Sequence, residues 1–172
     1  MNLDELGAKH IDIDKLEADE LWKLYSEVHE KLIEKNEIRS KNITGDRGEQ
    51  AAIDFYNNTP NLPKLQMAPP STQNIDAISV KGDRYSIKTI TFPNKTTGVF
   101  HGYGTPENPI YDKKFEYLIV VVLKSFKPIM IYEFSWEDFY TLKKWHSTMR
   151  AYNITLTKYA LDKAKLQLKV NN

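Results

Sequence analysis

Residues 117–123 read Tyr-Leu-Ile-Val-Val-Val-Leu, and this run limits the fold more than any other feature. Seven apolar residues, four of them β-branched, pass without a polar one. Such a run reads as a buried strand, here 116–123. It is far shorter than the roughly 20 residues that a membrane-spanning helix needs. A second strand is expected at 129–134. Two more, 75–80 and 84–91, flank the turn signal Lys81-Gly82-Asp83.

The flanks of these strands carry helical spacing. Leu21, Leu24, Tyr25, Val28, Leu32 and Ile33 recur at three- and four-residue intervals, which predicts a helix over 17–35. A second helix is expected to begin at 44–46. Asp46 serves as its N-cap, and Glu49 three residues on completes a capping-box spelling. Ala51, Ala52, Ile53, Phe55 and Tyr56 give that helix its apolar side, and Asn57-Asn58-Thr59-Pro60 stops it. Residues 60–74 contain four prolines and read as an irregular connection with a short extended piece at 65–68. Residues 93–109 are rich in Gly, Pro and Thr and read as a surface loop. Ser135 can cap a helix from Trp136 to about residue 144, and Ala160, Leu161, Ala164 and Leu168 suggest a helical tail. The class that follows is α/β, a mixed central β-sheet flanked by helices. The 172 residues suggest one compact domain: an N-terminal helical segment 1–43, a core 44–134 and a C-terminal helical region 135–172.

Composition removes several function classes. The chain has no cysteine, so thiol nucleophiles, zinc-thiolate sites and disulfides are excluded together. That absence, and an acidic N-terminus (Met-Asn-Leu-Asp-Glu-Leu) with no apolar core, lead us to expect a cytoplasmic protein with no membrane partner. The 24 basic and 23 acidic residues nearly cancel, so any nucleic-acid contact must come from a local patch. No Glu-x-x-His or His-x-x-x-His pair marks a zinc hydrolase. Gly45-Asp46-Arg47-Gly48 lacks the Lys-Ser/Thr of a phosphate loop.

Three short pieces remain that carry chemistry: Gly48-Glu49-Gln50-Ala51-Ala52 early in a helix, Asp76 at the start of a strand, and Ser86-Ile87-Lys88 on the strand that pairs with it. Alternation puts Ser86 and Lys88 on one face. A hairpin at Gly82 is expected to bring Asp76 close to Lys88. Two carboxylates and a lysine suit phosphodiester hydrolysis. A hard divalent cation neutralises the phosphate and activates water, and a lysine stabilises developing negative charge or orients the water. Each residue also has an ordinary reading. Glu49 can answer the helix dipole, Asp76 can be a solvated strand-start residue, and Lys88 can protect a sheet edge.

In this order and spacing the three pieces resemble the PD-(D/E)XK nuclease superfamily, over residues 44–134. The helix of Gly48-Glu49-Gln50-Ala51-Ala52 is similar to the family's first core helix, Asp76 to its first strand acid, and Ser86-Ile87-Lys88 to its (D/E)-x-K strand. The resemblance implies a restriction-endonuclease-like core. It also implies a magnesium site, with manganese as substitute, held by Glu49, Asp76 and the Ile87 carbonyl. Catalysis would fall to Glu49, Asp76, Ser86 and Lys88. Ser86 stands where the family has its second acid, and Glu49 is the replacement carboxylate, with Glu107 a weaker one. The implied activity is a metal-dependent endonuclease on double-stranded DNA, of type II restriction character. A homodimer is the simplest route to a double-strand cut, and a cognate methyltransferase is the expected cellular partner. The alternatives are a degenerate nuclease fold that serves as a DNA-binding or specificity subunit, and a protein-interaction domain.

Candidate DNA contacts follow from charge and aromatic placement. Lys95, His101 and Tyr103 lie on the 93–109 loop. There Lys95 can reach a phosphate and Tyr103 can stack, while a plain surface loop is the ordinary reading. Lys143, Lys144 and Arg150 belong to a basic stretch interleaved with Trp145 and Tyr152, which reads as a backbone clamp or as a solvated helix face.

Overall fold

The computed structural model describes residues 11–69, 72 and 74–169, with 166–169 described by backbone alone. The chain divides into two compact units, residues 1–41 and 42–172. The first contains helix α1, Ala18–Glu34, where the spacing predicts it. A capping box fixes its start: the Glu17 carboxylate accepts the Glu20 N–H, and the Glu17 N–H donates to Glu20 Oε2 at 2.9 Å. At its far end Asn36 adopts φ 59°, and the Glu37 N–H turns back onto the Leu32 carbonyl.

The second unit is built on a six-stranded sheet. Its strands are β1 Leu65–Met67, β2 Ala77–Ser79, β3 Arg84–Thr91, β4 Tyr117–Lys124, β5 Lys127–Ser135 and β8 Leu166–Lys169, adjacent in that order. A separate ladder pairs β6 Lys144–His146 with β7 Ala151–Asn153. The helices are α2 Ile43–Asn58, α3 Trp136–Leu142 and α4 Lys158–Lys163. Strands β3 and β4 run parallel, and all the other pairings are antiparallel. The sheet is therefore mixed, as the order of elements suggests.

The apolar run lies at the centre because β4 is covered on both faces. Ile119, Val121 and Leu123 pack with Tyr85 and Ile87 under the Ala51, Ala52, Ile53 and Tyr56 side of α2. Leu118, Val120 and Val122 pack on the other face with Phe100, Phe115, Trp136 and Phe139. The hairpin between β2 and β3 turns at Gly82, φ +90°, while Ser79 Oγ accepts the N–H groups of Lys81 and Asp83.

Three expectations are corrected. Asp46 is not the cap of α2. The helix begins earlier, Asn42 Oδ1 accepts the Gly45 N–H at 3.1 Å, and Asp46 is buried in the first turn. Glu49 thus lies a turn deeper than a capping box requires. The loop at 93–109 is not a plain surface loop. Parallel strands need a crossover, and this one passes over a sheet face and buries Thr97, Phe100 and Tyr103. Its backbone pairs with 152–156: Phe100 and Tyr152 exchange N–H···O bonds at 2.6 and 3.1 Å, and the Leu156 N–H reaches the Lys95 carbonyl at 2.8 Å. The 135–172 region is only partly helical. Residues 144–153 form the β6–β7 hairpin. The expected tail stops at Lys163, the Lys165 N–H bonds to the Glu133 carbonyl at 2.9 Å, and β8 zips onto the open edge of β5.

Candidate active site

Strand β2 is short, so beyond Ala77↔Tyr85 the edge of β3 is left open. A cleft of about 310 Å³ occupies that edge. It is lined by Asn42, Thr44, Gly45 and Glu49 from the start of α2, Asp76 before β2, Ile87, Lys88 and Thr89 from β3, and Gly98 and Val99 from the crossover. The structure thus brings together Glu49, Asp76, Ile87 and Lys88. Sequence reasoning missed Asn42, Thr44, Gly45, Thr89, Gly98 and Val99. Asn42 carried a usable signal, since Asn is a favoured N-cap and Gly45 follows three residues later.

Asp76 is held from three sides. Its N–H donates to the Tyr85 carbonyl at 2.8 Å, and its carbonyl accepts the Ala68 N–H at 2.9 Å. Its carboxylate Oδ2 accepts the Ile87 N–H at 2.6 Å and the Ser86 hydroxyl at 3.3 Å. The β2–β3 ladder ends at Ala77↔Tyr85, and Asp76, just outside it, lines the same cleft as Lys88. A strand residue's N–H and C=O point to the same edge. The Ile87 carbonyl therefore projects from the edge on which its N–H meets Asp76.

Glu49 enters the cleft because α2 lies unusually close to β3. A Cβ on Gly48 would stand 1.9 Å from Thr89 Oγ1, so only glycine permits the approach. Lys88 is positioned from the other side of the strand, with its Nζ 5.0 Å from the centroid of the buried Phe100 ring. An aromatic face attracts an ammonium and offers it no hydrogen bond, so the cation's donors are left for the cleft.

The donor set suits one hard cation that keeps much of its own water: two carboxylates, a main-chain carbonyl, and no nitrogen or sulfur ligand. Among the described residues no group of three or more His, Cys, Asp or Glu side chains is placed to hold a metal. Ser86 is 1 % exposed and gives its hydroxyl to Asp76, so it orients the acid. Glu107 is exposed on the turn closed by the Gly104↔Pro109 bridge and does not line the cleft.

The candidate DNA contacts separate into two groups. Lys95, His101, Lys144 and Arg150 are exposed, the first two on the crossover and the last two on the β6–β7 hairpin. Tyr103 is 1 % exposed, with its ring 5.6 Å from Trp136 and 5.3 Å from Phe139. Its expected role as a stacking platform is therefore corrected: it is a core ring. Lys143 is also drawn in. Its Nζ lies 3.9 Å from the Tyr140 ring centre and 4.3 Å from that of Tyr152, and burial pushes its pKa down. The solvated-helix reading of this stretch does not hold, because it is a hairpin.

No family model and no curated protein sequence matches the chain. Among the described residues no helix is long and apolar enough to cross a membrane.

Proposed function

We propose that the chain is a metal-dependent endonuclease acting on double-stranded DNA, with the restriction-endonuclease-like arrangement that the sequence motifs imply. One observation carries this reading: a helix carboxylate, a strand carboxylate held by the N–H of Ile87, and a lysine meet in one polar cleft. Magnesium, or manganese in its place, would be held by Glu49, Asp76 and the Ile87 carbonyl, and would supply charge neutralisation at the phosphate and an activated water. Asp76 keeps its carboxylate oriented through the Ile87 N–H and the Ser86 hydroxyl. Lys88 brings a cation to the reacting phosphate and stabilises charge that develops there. Lys95, His101, Lys144 and Arg150 supply exposed groups for the duplex backbone. A homodimer of type II restriction character, alongside a cognate methyltransferase, belongs to the same reading.

The experiment is cleavage of plasmid and genomic DNA in magnesium and in manganese. Discrete fragments that need metal support a sequence-specific enzyme. A metal-dependent smear keeps the chemistry and removes the restriction reading. A second reading, a DNA-binding or specificity subunit on a silent site, is favoured by Ser86, which leaves the strand motif one acid short. It predicts salt-sensitive DNA binding with no cleavage in either metal.

A further inference from the structure

Helix α1 carries an apolar stripe that faces solvent. Trp22 is 68 % exposed, Tyr25 51 % and Val28 49 %. Ala18, Leu21, Tyr25, Val28 and Leu32 follow one another at alternating three- and four-residue steps, the repeat of a two-stranded coiled-coil seam. An apolar hollow of about 430 Å³ lies on this stripe, lined by Ala18, Leu21, Trp22 and Tyr25. Those positions are i, i+3, i+4 and i+7, the four residues that frame a hole for a knob from a facing helix.

We propose that this face docks the same helix of a second copy of the chain, antiparallel, about a twofold axis near Trp22. Placing Leu21 opposite Tyr25 puts Tyr25 of each copy into the other's hole, and the small Ala18 against the β-branched Val28. The same register carries the charges at the edge of the seam, seven residues apart on either side of Leu24, into complementary positions: Glu17 of one copy meets Lys31 of the other, at both ends. Lys31 is free to do so at little cost, because its pair with Glu34 is on the surface, with both side chains more than 60 % exposed. A parallel alignment would instead set the acidic first turns, Glu17, Asp19 and Glu20, side by side and align the two helix dipoles. The contact is isologous and closes on itself, so it stops at a dimer. A seam of this length lies at the small end of interface sizes, so the dimer is reversible. The proposal stands on α1 and does not depend on the nuclease reading.

The test uses the full chain. Sedimentation equilibrium over rising concentration should pass from monomer to dimer mass and stop there. Lys31→Glu should return the chain to monomer, with circular dichroism reporting α1 intact. Because the chain has no cysteine, orientation can be read by oxidative crosslinking. Chains with Leu21→Cys should crosslink to chains with Tyr25→Cys in a mixture, and neither should crosslink to itself. A monomer at every concentration would overturn the proposal, as would each cysteine variant crosslinking only to its own kind. A dimer indifferent to Trp22→Glu and Lys31→Glu would place the interface elsewhere and overturn it too.

Discussion

Gly48 of α2 and Thr89 of β3 meet so closely that a methyl group on Gly48 would fall 1.9 Å from Thr89 Oγ1 and 2.8 Å from its Cγ2. This contact sets how near the Glu49 carboxylate comes to the edge of β3. Gly48→Ala must push the helix off the strand. Overpacking of this kind costs about 1–3 kcal/mol. We expect a lower thermal midpoint together with lost activity. Thr89→Ala in the Gly48→Ala background removes the two atoms that a threonine adds beyond Cβ and should recover part of both. Thermal denaturation of the two variants checks this.

Lys88 and Phe100 separate chemistry from stability. Lys88→Met keeps the aliphatic stem over the ring and loses about 0.5–2 kcal/mol of cation–π attraction, so the fold should survive with a modest shift in midpoint. On the proposed function, DNA cleavage should fall by far more, because that reading sets the Lys88 cation beside the phosphate. Phe100→Leu, at a 1 % exposed site, should behave in the opposite way: a clear loss of stability with Lys88 still present. Chemical denaturation run beside cleavage assays distinguishes the two patterns.

Acid stability should carry the mark of Glu116. The Arg84 side chain donates to its carboxylate through Nε at 3.0 Å and Nη2 at 2.8 Å, and the Arg84 N–H donates at 2.8 Å. These hydrogen bonds, led by the side-chain ones, pull the Glu116 pKa from its ordinary 4.5 to about 2. A depressed carboxyl pKa contributes stability above its unfolded value and loses it as pH falls through the folded one. Between pH 4.5 and 2 the wild type should therefore lose stability more steeply than Glu116→Gln, which lowers stability at neutral pH and flattens the acid limb. Urea midpoints across that window provide the check.

Tyr56 and Glu133 join α2 to β5 by a hydrogen bond from the phenol to the carboxylate, with Tyr56 fully buried. Burial raises the Glu133 pKa, and the Tyr56 hydrogen bond works against that rise. Tyr56→Phe should cost about 1.5–3 kcal/mol, the range for a hydrogen bond to a charged group, and raise the Glu133 pKa further. Glu133→Gln should reduce the effect of Tyr56→Phe in a double-mutant cycle.

The strands that bear the site were readable from the sequence, because their signals are local. β3 falls at 84–91 as expected from the Gly82 turn and the alternation that follows it. β4 shifts by one residue from the expected 116–123. The Asn42 cap was missed because Asp46 offered a competing cap spelling four residues later. The crossover was misread because its glycines, prolines and threonines describe local flexibility. What buries Phe100 and Tyr103 is the parallel pairing of β3 with β4, which no local signal reports. The same holds for β8. Ala160 through Leu168 has helical spacing, but the open edge of β5 offers hydrogen bonds that a short helix cannot match.

The most direct test of the proposed site is Asp76→Asn, because the amide oxygen can still accept the Ile87 N–H while the charge is gone. Magnesium-dependent cleavage of supercoiled plasmid should fall by more than the roughly 10–100-fold typical of residues that only orient a ligand, with the thermal midpoint close to wild type. Cleavage that persists in Asp76→Asn at wild-type rate would contradict the assignment of this cleft as the active site.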